Sequence, residues 1–187
     1  PNIVYENTPI YEAMKVMHDN EVRRLPVLND KGALVGIVSE RDLLLASSPP
    51  ATSLSVFELH YLITKITVAD VMTTELITVT EDTPLEEAAR IMADNEIGCL
   101  PVERGADLVG IITETDLFKT FLELLGARET GVRLTMLVAD EKGTLAKITG
   151  QITDLGGNIA SMSTFVGEDP ATVLLTVKVQ DVEEEDL

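Results

Sequence analysis

A single cysteine, Cys99, stands in a chain of 187 residues, so an intrachain disulfide is excluded. The only two histidines, His18 and His60, share no metal-ligand spacing with each other or with Cys99. No metal site is expected, and Cys99 reads as a small buried hydrophobe rather than a nucleophile. Positive charge is also scarce: 14 lysines and arginines face 32 acidic residues, a net charge of -18. Nucleic acid is therefore excluded as a partner, because its phosphates would be repelled over most of the surface. No apolar run approaches the roughly 18 residues of a membrane span, and no secretory signal opens the sequence. The expectation is a cytoplasmic protein with no membrane partner. Apolar residues, by contrast, make up 45% of the chain, enough to bury a sizeable core.

Internal repetition is the strongest positive signal. The stretch from Thr8 through Val27 recurs from Thr83 through Val102, and Leu34 through Leu43 recurs from Leu108 through Leu117. Over these 30 paired positions, 18 are identical. A folding unit used twice implies a pseudo-twofold axis and a cleft between the copies, where a small molecule would bind.

Each copy carries the same local pattern. Ile10, Ala13, Met14 and Met17 have helical spacing, as do Leu85, Ala88, Ala89 and Met92. Thr8-Pro9 and Thr83-Pro84 predict an N-cap followed by proline at the first helical position. Two short strands should follow, joined by the turn clusters at 29–32 and 104–107. A second helix should start near Ser39 and Thr113. The copies are expected at residues 1–46 and 70–125, with a linker at 47–69 containing a helix near 54–64 that opens on a Ser55-x-x-Glu58 capping box. Asp70-Val-Met72 opens the second copy and has no counterpart in the first. The chain is therefore expected to begin inside a longer sequence.

After Gly126 the pattern changes. Val132, Leu134, Met136 and Val138 alternate as in a half-buried strand. A helical face of Leu145, Ile148, Ile152 and Leu155 follows, stopped by Gly156-Gly157-Asn158. Residues 159–166 and 172–179 read as a hairpin. Residues 131–187 thus predict a β-α-β-β fragment of a two-layer domain, incomplete at its C-terminus. The acidic end reads as a solvated face or a disordered tail. The fold class is α+β throughout.

The repeats resemble a pair of CBS domains. The matching signatures are Asn20-Glu21-Val22, Leu25-Pro26-Val27 and Gly36-Ile37-Val38-Ser39-x-x-Asp42. Their counterparts are Asn95-Glu96-Ile97, Leu100-Pro101-Val102 and Gly110-Ile111-Ile112-Thr113-x-x-Asp116. The tail resembles an ACT domain through Asp140-x-x-Gly143-x-Leu145-x-x-Ile148 and Leu155-Gly-Gly-Asn158-Ile159. The order CBS-CBS-ACT resembles regulatory proteins of the acetoin utilisation B type. The resemblance implies two β-α-β-β-α units followed by a ferredoxin-like sheet. It also implies a non-catalytic sensor of an adenosine ligand such as AMP, ADP or ATP, with no tightly held cofactor. An amino acid at the ACT domain and a homodimer are further implications; the regulated protein is unspecified.

In such a site Asp42 or Asp116 would accept ribose hydroxyls, and Ser39 or Thr113 would donate to a phosphate or sugar oxygen. A helix N-terminus supplies N–H groups to an anion. The copies differ chemically. Arg23, Arg24 and Arg41 in the first are replaced by Gly98, Cys99 and Thr115 in the second. Guanidinium forks suit phosphate, so a phosphorylated ligand is expected at the arginines and Asp42, although Arg23 and Arg24 could equally serve a ligand on Asp116. Asp42 and Asp116 also read as first-turn carboxylates favoured by the helix dipole, and the arginines as solvated charges. Asp140, Gly143 and Asn158 are candidate effector residues or, equally, turn and cap residues. Two other functions stay open: the regulatory region of a larger enzyme, or of a transporter.

Overall fold

The computed structural model describes residues 1–47, 64–167 and 169–187. The expected linker helix near 54–64 lies outside the described residues. The chain forms two compact units, Pro1–Glu114 and Thr115–Leu187.

In the first copy, strand β1 (Val4–Tyr5) leads into helix α1 (Ile10–Asp19), strands β2 (Arg24–Leu28) and β3 (Leu34–Ser39), and helix α2 (Glu40–Ser47). The second copy repeats this with β4 (Val79–Thr80), α3 (Leu85–Asp94), β5 (Cys99–Arg104), β6 (Asp107–Thr113) and α4 (Glu114–Leu124). Each copy builds a three-stranded sheet, β1-β2-β3 or β4-β5-β6, with a parallel first pair and an antiparallel second pair. The two sheets share their register, including a shift in pairing after Val27 and after Val102.

The helix starts differ from the sequence expectation. Pro9 and Pro84 sit at the N-cap and make no side-chain cap bond. Thr8 and Thr83 instead turn back, and their hydroxyls accept the N–H of Tyr5 and Thr80, each at 3.1 Å. The threonine closes the strand-to-helix turn and is unavailable to the helix. At the other end, the Asn-Glu pair ends the helix. Asn20 and Asn95 donate side-chain N–H bonds to Val16 and Ile91 carbonyls, both at 2.8 Å. Glu21 and Glu96 then adopt positive φ, 53° and 55°. The Val22 N–H returns to the Met17 carbonyl at 2.9 Å, closing a left-handed helix stop.

The first copy's core contains Ile10, Ala13, Met17, Leu25, Val27, Val38 and Leu43, together with Val68 from the far end of the linker. Val68 opens a 3-10 turn (Val68–Asp70) capped by Thr67, whose N–H and hydroxyl both bond the Asp70 carboxylate. Those two bonds hold the Asp70 pKa below the ordinary carboxylate value. Residues 66–73, which lead into the second copy, are bonded to the first. The Ile10 N–H bonds the Ile66 carbonyl, the Val68 N–H bonds Thr8, and the Ala69 N–H bonds Glu6. Thr73 pairs with Ile37 at the outer edge of β3.

In the second unit, β7 (Val132–Ala139), α5 (Thr144–Asp154), β8 (Asn158–Val166) and β9 (Thr172–Gln180) form a sheet in the order β7-β9-β8 with α5 on one face. This is the expected β-α-β-β arrangement. Ile152, Leu175, Val177 and Val179 form its core. Leu145 and Leu155, read as core positions from their spacing, are 37% and 50% exposed. One short helix over three strands contacts the sheet through its middle turns only. The acidic end also departs from expectation: Val182 and Leu187 pack against this core.

Two equivalent glycines meet different surroundings. Above Gly36 lie the Met72 side chain and, 3.1 Å from where a Cβ would stand, the Thr73 carbonyl. Above Gly110 the nearest atom is Val102 Cβ, at 3.6 Å. Gly36→Ala should therefore cost roughly 1–3 kcal/mol by overpacking, whereas Gly110→Ala should stay within about 0.5 kcal/mol of the parent. Urea unfolding of the two variants checks this. Equal destabilisation would refute it.

Candidate functional site

The candidate residues of the first copy cluster where β3 meets α2. Strand β3 ends at Ser39 because its side chain and backbone are captured by the helix that follows. Asp42 Oδ2 accepts the Ser39 N–H at 2.9 Å and the Ser39 hydroxyl at 2.6 Å, and the Asp42 N–H reaches Ser39 Oγ at 3.3 Å. This reciprocal cap fixes the carboxylate at the start of α2. Ser39 and Asp42 are both partly buried. The cap takes one carboxylate oxygen, Oδ2. The same Thr/Ser-x-x-Asp device recurs at Thr67 and Asp70, where it shapes backbone alone.

Arg23 and Arg41 are exposed, and Arg24 is partly buried. The Arg23 carbonyl accepts the Glu40 N–H at 2.9 Å, tying β2 to the start of α2. The equivalent bond in the second copy runs from Glu114 to Gly98 at 3.2 Å. Arg24 reaches out of its own copy: its guanidinium lies 3.8 Å from the Glu114 carboxylate, the residue after Thr113. Gly98 makes this crossing possible. A Cβ there would run into the Arg24 guanidinium and stand 2.7 Å from Glu114 Oε2. The loss of a side chain at the position equivalent to Arg23 thus makes room for Arg24. Sequence reasoning identified Arg24 but not its partner Glu114. The lone glycine facing an arginine in the repeat was the available signal.

Cys99, at the position equivalent to Arg24, is buried. Burial pushes its thiol pKa up, Arg24 opposes this and Glu114 adds to it. A thiol held protonated and out of solvent is a poor nucleophile. Among the described residues no group of three His, Cys, Asp or Glu side chains could hold a metal ion, and no helix is long and apolar enough to cross a membrane.

In the second unit, Asp140 and Gly143 lie in the turn between β7 and α5. The Asp140 N–H bonds the Ala171 carbonyl at 2.8 Å. Gly143 takes φ 92° at the N-cap of α5, a conformation that suits glycine. Asn158 opens β8 and donates to the Gln180 side chain at 3.3 Å. Register places these residues at opposite ends of the sheet, since Ala139 pairs with Thr172 and Val132 with Val179, beside Asn158 and Gln180. Seven strand steps separate the ends, about 24 Å. A single chain does not bring the three together.

Comparison with known proteins places this geometry. The CBS domain family matches residues 1–49 and 68–123, and the ACT domain family matches residues 127–184. An uncharacterised protein of Methanocaldococcus jannaschii is 35% identical over 126 residues, which span 65% of this chain and 30% of that protein. A CBS domain-containing protein of Dictyostelium discoideum is 31% identical over 126 residues, 64% of this chain and 83% of that one. Among solved structures, a putative acetoin utilization protein (AcuB) from Vibrio cholerae shares 32% identity and a TM-score of 0.55, covering 69% of this chain and 88% of its own. A CBS domain pair solved with 5′-methylthioadenosine and S-adenosyl-L-methionine shares 28% identity and a TM-score of 0.53 over 69% of this chain and 91% of its own. CBSX2 solved with AMP shares 32% identity and a TM-score of 0.52 over 65% of this chain and 87% of its own. With both repeats matched and an ACT match following them, the chain belongs to the CBS domain family, as a tandem pair joined to an ACT domain.

Proposed function

We propose that this protein is a non-catalytic cytoplasmic sensor whose CBS pair binds an adenosine nucleotide such as AMP, ADP or ATP. The observation that carries the reading is the capped Asp42 carboxylate. Ser39 holds it by two hydrogen bonds at a helix N-terminus, so it is oriented before any ligand arrives. Its remaining lone pairs suit the paired hydroxyls of a ribose. Thr113 and Asp116 repeat the pattern in sequence and are the second candidate position. The neighbours solved with AMP and with two adenosine sulfur compounds support this ligand class.

Phosphate recognition falls to the arginines. In a chain of net charge -18, a polyanion needs local cations, and distant carboxylates are screened over about 8 Å at physiological salt. Arg23 and Arg41 face solvent: Arg41 precedes Asp42 in sequence, and the Arg23 carbonyl is bonded to the start of α2. Arg24 would exchange Glu114 for phosphate, so ligand binding would alter a contact between the two copies. That exchange is the coupling by which occupancy becomes a change in packing.

The ACT domain is proposed to take an amino acid between two protomers. Asp140 and Gly143 of one protomer would meet Asn158 of its partner, because one chain holds them at opposite ends of its sheet. A homodimer is consistent with β7, a regular eight-residue strand with neither proline nor bulge on its outer side. A second reading, in which the pair serves a larger enzyme or transporter, is favoured by the M. jannaschii relative, of which the matched segment is only 30%.

Saturating AMP, at about 100 times Kd, should raise the melting temperature by roughly 5–10 °C. Asp42→Ala should weaken adenosine and AMP alike, by about 10- to 150-fold. Arg41→Ala should weaken AMP and spare adenosine, and added salt should imitate the arginine change only. Calorimetry with both ligands on both variants provides the test. Equal losses from Arg41→Ala would make that residue structural, and a flat thermal scan of ligand-free protein would end the nucleotide reading.

Sedimentation equilibrium at micromolar concentration should return twice the chain mass. A monomer would remove both the dimer and the shared amino-acid site.

A further inference from the structure

The two second helices start alike in sequence but not in charge. Glu40 opens α2 and Glu114 opens α4. Across each ladder, the hydroxyl residue just before the helix faces one partner: Arg24 pairs with Ser39, and Cys99 pairs with Thr113. Residues directly opposite in an antiparallel pair project from the same face. The Arg24 side chain therefore leaves β2 beside the Ser39–Asp42 cap. Its guanidinium ends at the start of α4, 3.8 Å from Glu114 Oε2. One arginine thus spans both candidate helix starts. Cys99, in the equivalent place, is buried and has no charge with which to return the contact. None of the ion pairs among the described residues includes Glu40.

The Arg24–Glu114 contact is loose, yet space is reserved for it. At 3.8 Å the two groups attract without a hydrogen bond. The Arg24 side chain is 33% exposed and that of Glu114 is 62% exposed, so solvent reaches both. Gly98 supplies the room, since a Cβ there would overlap the guanidinium and stand 2.7 Å from Glu114 Oε2. Arg24 has no second carboxylate among the described ion pairs. A cation at the junction of two helix starts is therefore held by one weak, exposed anion.

We propose that Glu114 is a charge filter, an internal carboxylate that competes with ligand phosphate for Arg24. The inference rests on the nucleotide reading above and names the residue that sets its selectivity. Uncharged adenosine leaves the pair in place and gains nothing from Arg24. A phosphorylated ligand reaches Arg24 only by displacing Glu114. A phosphate monoester brings about two negative charges and three acceptor oxygens, and a guanidinium fork can take two of those oxygens at once. Glu114 offers one charge and no hydrogen bond, so the exchange runs toward phosphate. A singly charged anion has no such advantage and is turned away. The displaced carboxylate stays in the first turn of α4, where a helix N-terminus favours negative charge.

The experiment is calorimetry with adenosine and with AMP on the whole protein and on Glu114→Gln, Arg24→Gln and the double variant. Glu114→Gln should tighten AMP by about 2- to 5-fold, the range an exposed pair can withhold, and leave adenosine unchanged. In the Arg24→Gln background, adding Glu114→Gln should do nothing for AMP, because the cation it releases is gone. Melting temperatures should match throughout, so the changes report on binding and not on folding. A gain for AMP that persists without Arg24 is a general effect of removing negative charge and overturns the filter. An equal gain for adenosine overturns it too, as does AMP binding that Glu114→Gln leaves unaltered while the parent binds AMP. No AMP binding by any of the four proteins overturns the nucleotide reading itself, and the filter with it.

Discussion

A proline in the middle strand of each repeat governs much of this architecture. Pro26 and Pro101 lie buried within β2 and β5, each facing an isoleucine across the ladder. Without an N–H, proline cannot complete a bonded pair, so the pair is forced into the open geometry in which the partner's backbone points outward. The edge of the third strand is thereby committed to another segment. In the first copy that segment is residues 66–73, carrying Val68 into the core and Met72 onto Gly36. One missing donor thus weaves the linker's far side into the first copy.

The same economy of contacts operates between the repeats. Identical positions preserve the fold of each copy: the threonine that closes the turn before the helix, the asparagine that ends it, and the left-handed glutamate after it. The differing positions create the asymmetry. Gly98 gives up a side chain, Arg24 enters that space, and Glu114 receives it. An exposed ion pair of this kind contributes little to stability, on the order of 0–1 kcal/mol. Under the proposed function, a ligand phosphate would replace Glu114 in this pair. The second unit follows a different logic, with a single helix holding the middle of a three-stranded sheet and leaving Leu137, Phe165 and Leu174 in one exposed row across the strands.

Much of this was readable from residues alone. Repetition gave the two units and their internal order, because identical strings fold into identical local structure. Helical spacing marked Ile10, Ala13 and Met17 as core, and alternation marked Val132 through Val138 as a half-buried strand. Gly156-Gly157-Asn158 announced the stop of α5, and Gly156 takes φ 84° there, an angle few other residues tolerate. The Ser39-x-x-Asp42 spacing announced a capped helix start, and the pair indeed bond to one another.

Tertiary structure decided what spacing cannot carry. Thr8 and Thr83 looked like helix caps, yet each bonds the strand before it, because a hydroxyl between two competing donors goes to the one the turn brings closer. Asp70-Val-Met72 opens the second copy in sequence, and spacing could not show that residues 66–73 are satisfied on the first. Asp140 and Asn158 share a sequence motif and lie at opposite ends of one sheet, a separation fixed by strand register alone. Sequence by itself determined the local elements, the repeat and the residue types at each helix start, all of which depend on neighbours within a few positions. Which surfaces those elements cover, and which partner Arg24 finds, depends on groups far apart in the chain meeting in space, and only the folded structure sets those distances.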